Sequence, residues 1–370
     1  VTGRIRHFFA GGNTAQGFYS FYDQIIGVEA TRIFIIKGGP GVGKSSFMKA
    51  LGEELAKRGY DLEYHHCSSD PNSLDGMVIP AIKIAFLDGT APHIVDPKYP
   101  GCVDEILHLG DYWDERKMVV EKAKVVGLTQ DIGRQFARAY RYLAAALHIY
   151  HDWEAVNQQA FIPGIANQKA ETLKQELFGQ CSAAAVPGRQ RHLFASAITP
   201  AGPINYLDSI FGKAARMVIL TGEPGTGKST LLGKLLAAAV TCGLSAEVLH
   251  CALDPGKIEH LWLPELKTGI TTSVWPHTYA GPVKPALLVD MDETLDPVVQ
   301  RSREWIEKDR REFLALFNAG VEALGEAKCL HDKIEESYVP HMDFAAIDAL
   351  RQRVLERVLS YANQLGPSSF

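Results

Sequence analysis

Two stretches of this chain hold glycines, a lysine and hydroxyls at spacings that suit polyphosphate chemistry. They are Gly38-Gly39-Pro40-Gly41-Val42-Gly43-Lys44-Ser45-Ser46 and Gly222-Glu223-Pro224-Gly225-Thr226-Gly227-Lys228-Ser229-Thr230. Glycines let a backbone bend closely around a phosphate, and successive N–H groups then converge as an anion nest. A helix starting directly after the loop adds the partial positive charge of its N-terminus. Lys44 and Lys228 would reach the β- and γ-phosphates, and the Ser45 and Ser229 hydroxyls would ligate Mg²⁺. The plain alternative is a glycine turn with a surface lysine. Two occurrences, each between an expected strand and an expected helix, weigh against it.

The two stretches belong to a longer repeat. Lys44 and Lys228 are 184 residues apart, and the same offset pairs His66-Cys67 with His250-Cys251, Asp70-Pro71 with Asp254-Pro255, and Pro92-His93 with Pro276-His277. Upstream, Arg6-His7 pairs with Arg191-His192 at offset 185; downstream, Leu147-His148 and Phe161 pair with Leu330-His331 and Phe344 at offset 183. A near-constant offset over this length reads as a duplication, with one copy at 1–184 and the other at 185–370. Two copies of one fold in a chain suggest a pseudo-twofold contact between the halves.

Each loop needs elements to position it. Arg32 to Ile36 is a β-branched and aromatic run that reads as a buried parallel strand, followed by a helix from Lys44 to Lys57 with Gly59 as its stop. Asp61 to His66 and Ile84 to Asp88 read as further strands. The second copy repeats this with Arg216 to Leu220, Lys228 to Ala239 and Ala246 to His250. Strands alternating with helices predict an α/β fold, with a parallel sheet flanked by helices in each copy. Each copy then ends in a helical appendage, Asp131 to His148 in the first and about Arg301 to Tyr361 in the second. Phe136, Tyr140, Leu143 and Leu147 share one face of the first appendage; Arg134, Arg138 and Arg141 share the other.

Further residues carry functional and plain readings side by side. Asp88 ends a hydrophobic run, as an acid on the metal side would, or is a turn aspartate before Gly89. Thr272 lies opposite it at the repeat offset, so the second copy has lost this acid or uses Asp290, with Asp292 nearby. That loss bears on hydrolysis in the second half more than on binding. Asp70 and Asp254 fall at the carboxyl edge of the sheet, where an acid can take an acceptor's proton, or they are Asp-Pro turns. His93 and His277 are substrate contacts or turn histidines, and His148 and His331 satisfy packing. Cys67 and Cys251 fill small sites, and Phe18, Tyr19, Phe21 and Tyr22 read as core. Arg134, Arg138 and Arg141 form a charge-stabilising lid or a solvated face, and the role of Arg6 and Arg191 is open.

The two loops in this context resemble P-loop NTPases. Gly11-Gly12-Asn13-Thr14, Cys67-Ser68-Ser69-Asp70 and Leu87-Asp88-Gly89-Thr90-Ala91-Pro92-His93 extend the resemblance to an uncharacterised family of tandemly duplicated P-loop ATP-binding proteins of Gram-positive, spore-forming bacteria. That resemblance implies ATP and Mg²⁺ as ligands and brings no defined reaction with it.

Composition narrows the classes. The net charge of −5 asks for neither nucleic acid nor an anionic membrane. Six scattered cysteines suit a cytoplasmic protein with reduced thiols, and no apolar run is long enough to span a bilayer. The start of the sequence has no signal-peptide apolar core. There is no Asn-Lys-x-Asp guanine motif and no Leu-Ser-Gly-Gly-Gln signature, which disfavours GTP and ABC-type ATPases. An Mg-dependent ATP hydrolase with the first site more active is the leading expectation. A small-molecule or nucleotide kinase, with Asp70 or Asp254 as base, and a nucleotide sensor or scaffold are the alternatives.

Overall fold

The computed structural model describes residues 2–91 and 93–365, so Pro92 of the repeated Pro-His pair lies outside the described residues. The first half of the chain runs through strands β1 (Ile5–Phe9), β2 (Gly11–Thr14), β3 (Gly17–Ser20) and β4 (Arg32–Lys37), then helix α1 (Lys44–Lys57). Strands β5 (Leu62–His66), β6 (Leu74–Ile79), β7 (Ile84–Asp88) and β8 (Asp104–His108) follow, then helices α2 (Glu115–Val120), α3 (Lys122–Gln158) and α4 (Pro163–Phe178). The second half holds β9 (Gln190–Phe194), β10 (Ser196–Thr199), β11 (Gly202–Asn205), α5 (Leu207–Ile210), β12 (Arg216–Thr221) and α6 (Lys228–Thr241). It continues with β13 (Ala246–His250), β14 (Ile258–Leu263), β15 (Thr268–Thr272) and β16 (Leu287–Asp290), and ends in the helices α7 (Arg303–Tyr338) and α8 (Phe344–Leu365).

Two compact units emerge, and they do not follow the sequence boundary at 184/185. One comprises residues 1–12, 20–138 and 322–370; the other comprises 13–19 and 139–321. Helix α3 therefore begins in the first unit and ends in the second, and α7 does the reverse. Apolar stripes explain the membership. Ile347, Val354, Leu355, Val358 and Ala362 of α8 recur at helical spacing and join Met48, Leu51 and Leu55 of α1 in one core. Ala170, Leu173, Leu177 and Phe178 of α4 join Leu231, Leu232 and Leu235 of α6 in the other. Each fully buried Val, Leu, Ile, Phe or Met side chain among these contributes about 1.5–3 kcal/mol.

The first unit's sheet has the order β1-β5-β6-β7-β4-β8, and the second unit's has β9-β13-β14-β15-β12-β16. Both are mixed rather than wholly parallel. β1/β5, β4/β7 and β4/β8 are parallel, whereas β6 runs antiparallel to both neighbours. In the second unit β14 is the reversed strand. The expectation of a parallel sheet misses these strands because a short connection permits reversal, while a parallel partner needs a long crossover. Only Pro80–Ile82 and the left-handed Lys83 (φ 52°) separate β6 from β7.

Both sheets also carry a bulge at the same place. Opposite His65 and His66 stand Gly76 and Leu74, which leaves Asp75 as the extra residue. Opposite Leu249 and His250 stand His260 and Ile258, which leaves Glu259 as the extra residue. A bulge of this kind re-aims the side chain it releases.

Candidate functional site

In the first unit β4 ends at Lys37 and α1 starts at Lys44, so the glycine loop spans the gap between strand and helix. Gly43 caps the helix with φ 90°, and its counterpart Gly227 caps α6 with φ 88°. Gly41 (φ 69°) and Gly225 (φ 83°) are also left-handed, and each lies under a helix. A Cβ on Gly41 would come within 3.1 Å of the Glu335 backbone, and one on Gly225 within 2.6 Å of the Glu154 carbonyl. Only glycine meets both demands. Asn157 further braces the second loop by donating to the Pro224 carbonyl at 2.8 Å, and it accepts from Arg301 at 2.7 Å.

The loop side chains repeat one pattern. Lys44 Nζ donates to the carbonyls of Gly38 (3.2 Å) and Gly39 (2.9 Å). Lys228 Nζ donates to those of Gly222 and Glu223, both at 2.6 Å. Ser45 Oγ accepts from Leu74 N–H at 2.9 Å, and Ser229 Oγ from Ile258 N–H at 3.2 Å. Leu74 and Ile258 directly precede the bulged acids Asp75 and Glu259, so each acid is one residue from the backbone group that holds the loop serine. Val42 and Thr226 are fully buried, and Thr226 Oγ1 donates to Glu223 O at 2.8 Å.

Around Lys44 the first unit gathers acids. Asp88 Oδ2 lies 3.6 Å from the ammonium, and its other oxygen accepts from Thr90 N–H at 2.9 Å. Asp75, Asp88 and His93 bring their ligating atoms within 4.8 Å of one another. His93 Nε2 is 3.6 Å from Asp75 Oδ1, and the His93 ring stacks on Tyr22 at 4.5 Å. Burial pushes the Asp75 carboxyl above the usual range; His93 opposes that shift and the Asp88 charge adds to it. Tyr22 thus does more than fill core, because it walls one side of this cluster.

The second unit differs at two positions. Thr272 pairs with Leu220 as Asp88 pairs with Ile36, so it occupies Asp88's place in the sheet. His260 falls at Gly76's place, opposite Leu249 as Gly76 is opposite His65. Glu259, His260 and His277 form the corresponding cluster, again within 4.8 Å. Asp290 does not take over Asp88's position. It pairs with Thr221 on the other side of β12, is exposed, and accepts from Asp292 N–H at 2.9 Å. Asp292 itself reaches the loop, accepting from Glu223 N–H at 2.8 Å. Burial pulls the Lys228 ammonium down to about 8, against the raising effect of Asp292, Glu154, Glu223 and Glu259.

Asp70 and Asp254 sit in Asp-Pro turns, and each also faces a long helix. Asp70 accepts from Ser73 Oγ at 3.0 Å and lies 3.7 Å from Lys328; Asp254 lies 4.0 Å from His151. The turns are tied down by histidine pairs absent from the expectations. His66 Nδ1 must donate to the Pro71 carbonyl at 2.8 Å, so its Nε2 accepts from His7 Nδ1–H at 2.8 Å. His250, Pro255 and His192 repeat this arrangement at 2.7 and 2.8 Å. Burial holds His66 and His250 near 4, so both stay neutral.

The remaining candidates fall outside these clusters. Arg134, Arg138 and Arg141 are exposed on α3, and Arg134 pairs with Asp131. Arg6 and Arg191 pair with Glu63 (3.2 Å) and Glu247 (3.6 Å) on the neighbouring strands. Desolvation pushes the Cys67 and Cys251 thiols well up, which makes them poor nucleophiles. His148 is exposed, and His331 lies 3.6 Å from Glu335. Asp75, Glu259 and His260 are the residues missed in the sequence. The repeat offset does pair Asp75 with Glu259, an acid with an acid, and that was the available signal.

Comparison with family models, with curated proteins and with solved structures gives no match for this chain. Among the described residues no helix is long and apolar enough to cross a membrane.

Proposed function

We propose that this protein binds ATP with Mg²⁺ on two P-loops, one in each repeat, and that the first hydrolyses it. One observation supports the reading above the rest. Both loops turn through left-handed glycines into a helix N-terminus, with the lysine ammonium drawn across the first loop carbonyls and the serine hydroxyl at the helix start. Loop N–H groups, a helix N-terminus and an ammonium brought together at one loop are what a polyphosphate requires. The likeness to the duplicated P-loop family belongs to the same reading.

The asymmetry favours hydrolysis in the first unit. Ser45, Asp88 and the bulged Asp75 offer hard oxygen ligands for Mg²⁺ beside Lys44. In the second unit Thr272 replaces Asp88, so Ser229 and Lys228 hold nucleotide with a weaker set of oxygens for metal. We expect binding there without comparable turnover.

The test is incubation with γ-labelled ATP and Mg²⁺, with and without a metabolite pool. Free labelled phosphate supports the hydrolase. Label transferred to a metabolite would make it a kinase, and tight binding with neither would make it a sensor. Absence of any triphosphate uptake by calorimetry would remove the proposal altogether.

A further inference from the structure

We propose that the second unit holds a divalent transition-metal ion, of the Zn²⁺ class, on Glu259, His260 and His277. The inference goes beyond nucleotide binding and requires no nucleotide. It starts from His260, which is 0% exposed and whose Nε2 has no hydrogen-bond partner among the described residues. A buried imidazole nitrogen without a partner is costly, so its lone pair or proton must answer to something.

The choice of ring nitrogen follows from the neighbouring hydroxyl. Thr271 Oγ1 has one hydrogen and donates it to the Thr272 carbonyl at 3.2 Å. Thr271 Oγ1 also lies 2.6 Å from His260 Nδ1, so that ring nitrogen is engaged. Nε2 is the ring nitrogen left to ligate. It points toward Glu259, 3.8 Å from Oε2, and that carboxylate oxygen also has no hydrogen-bond partner among the described residues. His277 Nε2 lies 3.6 Å from Glu259 Oε1.

Two imidazoles and a carboxylate thus converge in a buried place where His260 Nε2 and Glu259 Oε2 have no hydrogen-bond partner among the described residues, while His277 Nε2 lies 3.2 Å from Thr272 Oγ1. A cation resolves this, and two imidazoles with one carboxylate form the donor set that suits zinc and its neighbours. The Thr271 hydroxyl supplies the outer contact that fixes a ligating histidine's ring. Three protein ligands leave a fourth position for solvent. The first unit's cluster is a different donor set, two carboxylates and one imidazole with an ammonium beside them, so the preference for a borderline metal belongs to the second.

The experiment uses the full chain, free of nucleotide. Protein is incubated with Zn²⁺, desalted and assayed for bound metal, and Co²⁺ is used as a spectroscopic substitute. We expect one tightly held ion per chain, a tetrahedral or five-coordinate Co²⁺ spectrum, and a raised melting temperature with Zn²⁺. E259Q and H277A should each weaken uptake by at least about tenfold, while D75N, H93A and K228A retain it. Circular dichroism of E259Q and H277A confirms that they fold; if either does not, the wild-type Co²⁺ spectrum still decides. Featureless octahedral Co²⁺, uptake unchanged in folded E259Q and H277A, or loss confined to D75N and H93A would each overturn the assignment. None of these outcomes depends on whether the loops bind ATP.

Discussion

The two clusters beside Lys44 and Lys228 share a frame but differ in one donor. In both, a bulge in the reversed strand releases an acid, and a histidine from the loop after the next strand faces it at 3.6 Å. The third donor comes from a different strand in each. The first unit places Asp88 at the end of β7 and leaves glycine at 76; the second places His260 on β14 and leaves threonine at 272. Trading a carboxylate for an imidazole changes which cation a site prefers. One backbone frame thus holds two donor sets, and the difference in the third donor rests on two positions.

The largest expected effect separates the two lysines. K44A should lower the rate of phosphate release by about 10²-fold or more, the loss typical of removing a transition-state charge contact. K228A should leave that rate within a fewfold while abolishing one of two bound nucleotides. Equal losses from both variants would break the comparison. A sharper version exchanges the donors: H260G/T272D should lose Zn²⁺ uptake and restore Mg²⁺-dependent turnover in a K44A background. Continued inactivity there would mean that more than the third donor distinguishes the sites.

Core packing gives the next effect. V358A and L235A remove buried methyls from the two cores, and each should cost about 1–4 kcal/mol in denaturant unfolding. A pH effect follows from Lys228, whose ammonium is held down to about 8. It is charged below that pH and neutral above it, so nucleotide binding at the second loop should weaken as pH rises through about 8, by at most about tenfold per unit. Calorimetry of K44A across this range isolates that loop, and flat affinity up to pH 9.5 would contradict the expectation. The smallest effect should come from Arg357 and Glu105, a partly exposed bidentate pair at 2.7 and 2.6 Å. R357K should cost no more than about 1 kcal/mol and less at high salt.

The loops, their flanking strands and the helix starts at Lys44 and Lys228 were legible because local rules govern them. Glycines, short β-branched runs and helical periodicity are all written within a dozen residues. What escaped depends on distant partners. Asp75 and Glu259 matter through a bulge, and a bulge is a mismatch between two strands that neither strand reveals alone. The reversed direction of β6 is set by its neighbours. The stripe on α8 announces that Val354 and Val358 seek a core, but it does not say which one. His260 carries no signal in the sequence, because its neighbours Thr271 and Glu259 meet it only across the sheet and at the bulge. The repeat offset was the one long-range signal available, and it carried the comparison furthest where the copies disagree, at Asp88 and Thr272.

Each long helix starts with one unit and finishes with the other. Severing the chain near 184 would yield two fragments, and neither would contain a complete unit. Each fragment would hold the loop and central strands of one unit but a closing helix of the other, α4 in the first fragment and α8 in the second.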